Sequence, residues 1–171
     1  EVARFVEKPS WRRVLSDRVN TGIYVFKRDI LSEIPDGVFC DFSRDVFPKL
    51  IGRGLYGYAA DGYWCDVGSL DAYYSCNRDA LAGKIRGMTC TPAENFIHEE
   101  AVVASGVCVG GASIVGPVKI ASGAVVEASI LMDGVRIGKG AVVRSSIVCR
   151  DAVVGEHAAV SYTHLRAPET L

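Results

Sequence analysis

Four short segments recur at a spacing of 17 residues: V-A-S-G-V-C-V from Val103, I-A-S-G-A-V-V from Ile120, I-G-K-G-A-V-V from Ile137 and V-G-E-H-A-A-V from Val154. Apolar columns follow from this register. Val103, Ile120, Ile137 and Val154 form one, Val109, Val126, Val143 and Val160 a second, and Val107, Ala124, Ala141 and Ala158 a third of smaller side chains. A fixed period of this kind means stacked, equivalent coils, each burying its apolar side against its neighbours. Seventeen residues are too few for a helix-turn-helix unit, and the β-branched content with Gly106, Gly123 and Gly140 disfavours helix. Each coil is therefore expected to be a set of short strands joined by tight corners, and the stack a parallel β-helix. The aliphatic columns fill its interior, while Lys119, Glu127, Arg136, Lys139 and Arg144 face water.

The rest of the chain is long enough for a second unit. With 171 residues and 49% hydrophobic content, two units of about 85 residues can each bury a core. A net charge of -1 gives no electrostatic case for nucleic acid or an acidic membrane surface, so neither partner is expected. No apolar run reaches membrane-spanning length, and the opening E-V-A-R-F-V-E-K has neither signal-peptide character nor an initiating Met. The chain reads as a cytoplasmic piece of something longer. Its six cysteines, at positions 40, 65, 76, 90, 108 and 149, make no C-x-x-C pair and have no His at ligand spacing, so buried reduced thiols are expected rather than a zinc site.

The first 85 residues alternate between strand-like and helix-like stretches. Residues 2–7, 22–26, 55–60 and 63–67 read as strands, the last two as a hairpin-like pair around Asp61-Gly62. Residues 27–34 and 43–51 read as short helices. Ser69 reads as the N-cap of a helix running to about Ala82, with Leu70, Tyr73, Tyr74, Ala80 and Leu81 buried and Gly83 ending it. This is part of an α/β domain.

Three motifs in that half gain meaning together: F-V-E-K-P at 5–9, V-N-T-G-I-Y-V-F at 19–26 and Y-W-C-D-V-G-S at 63–69. Their order, with D-F-S-R-D-V-F-P-K-L between them and the coils behind, resembles the sugar-1-phosphate nucleotidyltransferases, and most closely the bacterial mannose-1-phosphate guanylyltransferases. The coils themselves resemble hexapeptide-repeat proteins, and only that resemblance implies a left-handed β-helix. The implied fold is α/β, the C-terminal part of a Rossmann-like nucleotidyltransferase domain, followed by that helix. Residues 1–85 would be the sugar-phosphate-binding part, 86–102 a linker with a lead-in strand, 103–160 the β-helix and 161–171 a non-repeat tail foreign to the protein.

The resemblance implies transfer of a nucleotidyl group from a nucleoside triphosphate to a sugar 1-phosphate with release of pyrophosphate, GTP and mannose 1-phosphate being favoured. Such chemistry brings two polyanions together and rests on positioning and charge neutralisation. Lys8 suits the sugar phosphate as a point charge, and Pro9 restricts it to extended backbone. Glu7 would accept hydrogen bonds from sugar hydroxyls. Asn20, Thr21 and Gly22 match the family's sugar-binding turn, where an amide can donate and accept and a glycine lets the ring approach the backbone. Asp66 matches the ligand that holds Mg2+ with a second Asp on the nucleotide side, an arrangement suited to an ion that takes few carboxylates plus phosphate and water oxygens. Trp64 is expected in the core, with Gly68 easing the exit toward Ser69.

The family's signature loop, resembling G-x-G-T-R-L-x-P-L-T, occurs nowhere in these residues, nor does the first metal-binding Asp. This half alone is therefore expected to be inactive, and homo-oligomerisation through the β-helix is implied. Other readings stay open: glucose-1-phosphate adenylyl- or thymidylyltransfer, or a non-catalytic regulatory or assembly subunit of the same family. An acyltransferase with His157 as its base is weaker, because a lone His in a glycine column is more often a tolerated replacement.

Overall fold

The 17-residue register folds into three parallel ladders. The computed structural model describes residues 1–4, 12, 16, 18–87 and 93–165, and divides into two compact units, Glu1–Trp64 and Cys65–Leu171. In the second unit, β2 (Val102–Val103), β5 (Lys119–Ile120), β8 (Arg136–Ile137) and β11 (Val153–Val154) stack as one sheet. A second contains β3 (Cys108–Gly110), β6 (Val125–Glu127), β9 (Val142–Arg144) and β12 (Ala159–Ser161). The third contains β1 (Phe96–Ile97), β4 (Ile114–Val115), β7 (Ile130–Leu131), β10 (Ile147–Val148) and β13 (His164–Leu165). All pairings are parallel, making a β-helix of about four turns.

Its interior is built from the expected columns and two more. Ile120, Ile137 and Val154, Val126, Val143 and Val160, and Ala124 and Ala141 are buried, whereas Val103, at the first coil, is 38% exposed. The added columns are Val118, Val135 and Ala152, and Val115, Leu131, Val148 and Leu165. The coils also extend beyond residues 103–160, because β1 pairs with β4, and β13 pairs with β10. Residues 161–165 are thus part of a coil rather than a tail, since Leu165 falls in register with Val148 and closes an apolar column. Cys108 is exposed and the thiols of Cys40, Cys65, Cys76 and Cys149 are half-buried, so burial of the thiols is not what the fold provides. Cys90 lies outside the described residues.

The third ladder is not strictly periodic. Phe96 pairs with Ile114, eighteen positions on, and Ile114 with Ile130, sixteen on. Between β3 and β4 the corner holds Gly111, Ala112 and Ser113, one residue more than Ala128 and Ser129 in the next coil. Gly111 and Ala112 both take positive φ, 67° and 62°. The following corner is one residue shorter and contains Pro117, whose ring forbids the left-handed conformation that Gly134 (φ 74°) and Asp151 (φ 61°) adopt in later coils. One extra and one missing residue cancel, and the 17-residue period is restored.

Corners leave backbone groups inside the coil that must be satisfied. A polar ladder does this. Ser113, Ser129 and Ser146 are buried; Ser129 N–H donates to Ser113 Oγ (3.1 Å), Ser146 N–H to Ser129 Oγ (3.2 Å), and Ser113 N–H to Asn95 Oδ1 (2.9 Å). Each hydroxyl in turn donates at 2.7 Å to a carbonyl of its own corner, on Gly110, Glu127 or Arg144. The glycine column, Gly106, Gly123 and Gly140, has positive φ throughout, and His157 takes the same conformation at φ 57°. That is the behaviour of a tolerated glycine replacement. On the outside, Arg144 pairs with Glu127 across coils at 2.9 Å, an exposed contact worth little in water.

Helix α2 (Leu70–Leu81) starts as expected, with Ser69 Oγ accepting from Ala72 N–H at 3.1 Å. It ends in a Schellman turn: Gly83 has φ 74°, its N–H donates to Ala80 O and Lys84 N–H to Asp79 O, both at 2.9 Å. Leu81 is buried, but Leu70, at the first position of the helix, is exposed. Tyr74 Oη donates to Ala128 O at 2.6 Å, anchoring the helix on the β-helix. Adjacent strand residues point to opposite faces. Leu131 and Val148 face the interior, so Ile130 and Ile147 face outward, and both are nevertheless buried.

The first unit is less regular. Residues 28–33 form a 3-10 turn (Arg28–Glu33), and a π turn (Phe42–Val46) leads into α1 (Phe47–Leu50). Asp41 caps the π turn through Ser43 and Arg44 N–H at 2.8 and 3.0 Å. The strands expected at 22–26, 55–60 and 63–67 are absent, as is one at 2–4, since a strand needs a hydrogen-bonded neighbour and Val2 N–H to Leu55 O (2.8 Å) is an isolated contact here. Residues 5–7 lie outside the described ones. Trp64, expected in the core, is exposed. The buried centre is Val46 and Phe47, around which Tyr24, Phe26 and Phe42 gather, Tyr24 meeting the Phe47 ring edge-on at 4.9 Å.

Glycines within the coils are not equivalent. Ala stands at 104 and 121 in the column that holds Gly138, yet a Cβ on Gly138 would lie 2.6 Å from the Glu156 N and Gly155 C of the next coil. Backbone of a packed coil cannot step aside. Gly138→Ala is expected to cost about 1–3 kcal/mol of β-helix stability, while Gly110→Ala, with no atom within 4 Å and no positive φ, should stay within about 0.5 kcal/mol. Thermal melts of both variants followed by circular dichroism check this; equal melting temperatures would contradict it.

Candidate functional site

The turn at Asn20 is built by its own side chain. Gly22 N–H donates to Asn20 Oδ1 at 3.1 Å, and Gly22 has φ 77°, a conformation in which glycine meets no side-chain penalty. Tyr24 Oη bridges both amide atoms: it donates to Oδ1 at 3.0 Å and accepts from Nδ2 at 2.6 Å. Thr21 and Gly22 are exposed, and a Cβ on Gly22 would meet nothing within 4 Å. The backbone here is open to a ligand.

Asp66 belongs to the second unit, in an extended segment leading to the Ser69 cap. Its carboxylate is exposed, and Gly68 lies beside it, where an added Cβ would make an ordinary contact of 3.6 Å with Oδ1. The donor chemistry suits a hard cation that takes one carboxylate oxygen and fills its other positions from water and phosphate. Among the described residues no group of three or more His, Cys, Asp or Glu could hold a metal ion by itself. Glu7 and Lys8 lie outside the described residues. The fold therefore brings Asn20, Thr21 and Gly22 into one turn and presents Asp66 on a separate unit. Sequence reasoning passed over Tyr24, although it stands inside the quoted V-N-T-G-I-Y-V-F, four residues after Asn20.

Residues 1–83 match the family described as Nucleotidyl transferase, and residues 91–167 match the GMPPB C-terminal domain. The chain belongs to the nucleotidyl transferase family. A mannose-1-phosphate guanylyltransferase of Mycobacterium tuberculosis is 33% identical over 110 residues, 59% of this chain and 30% of that protein. A UTP–glucose-1-phosphate uridylyltransferase of Synechocystis is 37% identical over 90 residues, 52% of this chain and 23% of the relative. A glucose-1-phosphate adenylyltransferase of Desulfitobacterium hafniense is 39% identical over 89 residues, 47% and 22%. The chain thus spans less than a third of the length of these relatives. Both the family resemblance and the expected order, the start of a nucleotidyltransferase domain followed by a β-helix, hold. Among the described residues no helix is long and apolar enough to cross a membrane.

Proposed function

We propose that the protein containing these residues transfers a nucleotidyl group from a nucleoside triphosphate to a sugar 1-phosphate, forming a nucleotide sugar and pyrophosphate. The observation that carries this reading is the succession, in one chain, of a Nucleotidyl transferase match and a GMPPB C-terminal match. The latter, with the similarity to the mycobacterial guanylyltransferase, favours GTP and mannose 1-phosphate as the pair. Glucose 1-phosphate with ATP or UTP is the second reading, favoured by the 39% and 37% identities to enzymes of those names.

In this reading the sugar phosphate oxygen attacks the α-phosphorus in line, and pyrophosphate leaves from the opposite side. Little covalent chemistry falls to the protein, so its residues position and neutralise. Lys8 holds the sugar phosphate as a point charge and Glu7 accepts from sugar hydroxyls. The open turn at Asn20, Thr21 and Gly22 lets the sugar ring approach the backbone. Asp66 would supply one carboxylate oxygen to a bound Mg2+, whose charge would help neutralise the phosphates. Residues 1–171 without a nucleotide-binding loop are expected to release no pyrophosphate on their own.

Pyrophosphate release by the full-length protein, assayed for GTP, ATP, UTP and dTTP against mannose and glucose 1-phosphates, tests this reading. Release with GTP and mannose 1-phosphate above the other pairs is expected. No release with any pair would leave a non-catalytic assembly role as the better account.

A further inference from the structure

The orientation of the Asn20 amide is determined by its neighbours. A backbone N–H can only donate, so the contact from Gly22 N–H (3.1 Å) requires the oxygen, not the nitrogen, on that side. The oxygen then accepts a second bond from Tyr24 Oη (3.0 Å), which uses both of its lone pairs. The nitrogen donates one hydrogen to the same phenol at 2.6 Å. What remains is one N–H. Although an asparagine can both donate and accept, this one has a single donor left to offer.

We propose that Tyr24 is a positioning residue that turns Asn20 into a pure hydrogen-bond donor toward a hydroxyl oxygen of the sugar 1-phosphate; this rests on the function proposed above. Tyr24 can hold that orientation because its own ring is held. It packs edge-on against Phe47 at 4.9 Å and stacks with Phe26 at 5.5 Å, and Phe47 is 2% exposed. The phenol is thus tied to Phe47, the one buried aromatic among the described residues of the unit, and the amide to the phenol. Loss of the hydroxyl would leave the amide held by Gly22 N–H alone, and so less firmly oriented, without opening a cavity, since Phe fills the same ring volume.

The test uses the full-length protein and mannose 1-phosphate and glucose 1-phosphate as probes, with affinity read by calorimetry for wild type, Tyr24→Phe, Asn20→Ala and the double variant. Tyr24→Phe is expected to weaken sugar-phosphate binding roughly fivefold to thirtyfold, leaving triphosphate affinity unchanged. In the double variant the loss should equal that of Asn20→Ala alone, because Tyr24 acts only through Asn20. Independently of ligand, the Asn20 side-chain NH2 resonances should shift and exchange faster in Tyr24→Phe. Additive losses would overturn the proposal by showing that the phenol acts on its own, as would unchanged affinity despite a shifted amide. Wild-type protein that binds neither sugar phosphate while its Asn20 resonances respond to Tyr24→Phe would instead locate the failure in the proposed function, and remove the sugar-facing role with it.

Discussion

Asp66→Asn in the full-length protein should lower turnover by about 100- to 1000-fold, with sugar-phosphate affinity changed only a few fold. The substitution keeps size and hydrogen-bonding capacity but removes the charge that an Mg2+ ion would meet. Asp66 is exposed, with Gly68 at its side, so no packing contact is lost with the charge. The effect should therefore fall on the step where phosphate charge redistributes, rather than on ground-state binding. Lys8→Ala is expected to behave in the opposite way, raising KM for the sugar phosphate more than it lowers kcat, because a phosphate charge is present before and during the reaction. Steady-state kinetics over a range of Mg2+ concentrations separates these. Mild, equal changes in both parameters for Asp66→Asn would assign it a structural role.

Amide hydrogen exchange of the 171-residue chain should divide it sharply. The inner coils, at residues 114–148, are held by ladders on both sides and by the buried columns, and their amides are expected to exchange slowly. Residues 18–64 should exchange about a thousandfold faster or more. The reason is visible in the side chains: Val25 is 98% exposed and Phe39 90%, and few long-range backbone bonds join the described residues of these segments. Solenoid coils draw stability from nearest neighbours, so they persist when the adjoining unit opens. Slow exchange throughout residues 18–64 in a monomer would show that this unit is held together more tightly than its exposed apolar side chains indicate.

Tyr24 illustrates how near the site was to being legible. The sequence placed Asn20 and Gly22 in a turn and marked the tyrosine's neighbours, yet nothing in the spacing says that a phenol reaches back four residues to an amide. That depends on how the Phe47 core orients the ring. Thr21, between Asn20 and Gly22 in the same turn, is exposed.

What the sequence determined by itself is whatever repeats or is local. Each coil meets an equivalent coil, so a 17-residue period of β-branched residues translates directly into parallel register and buried columns. The ends of α2 are local as well, since Ser69 and Gly83 satisfy backbone groups within a few residues of themselves. Tertiary structure alone decided the rest. The compensating corners around Ala112 and Pro117 break the period, so a fixed spacing could not find the column of Val115 and Leu131. Gly138 differs from Ala104 and Ala121 only because of where the next coil's backbone lies. The strands expected in the first unit had the right composition but, among the described residues, no hydrogen-bonded ladder, because a strand is a property of a pair and its partner is not written in its own residues.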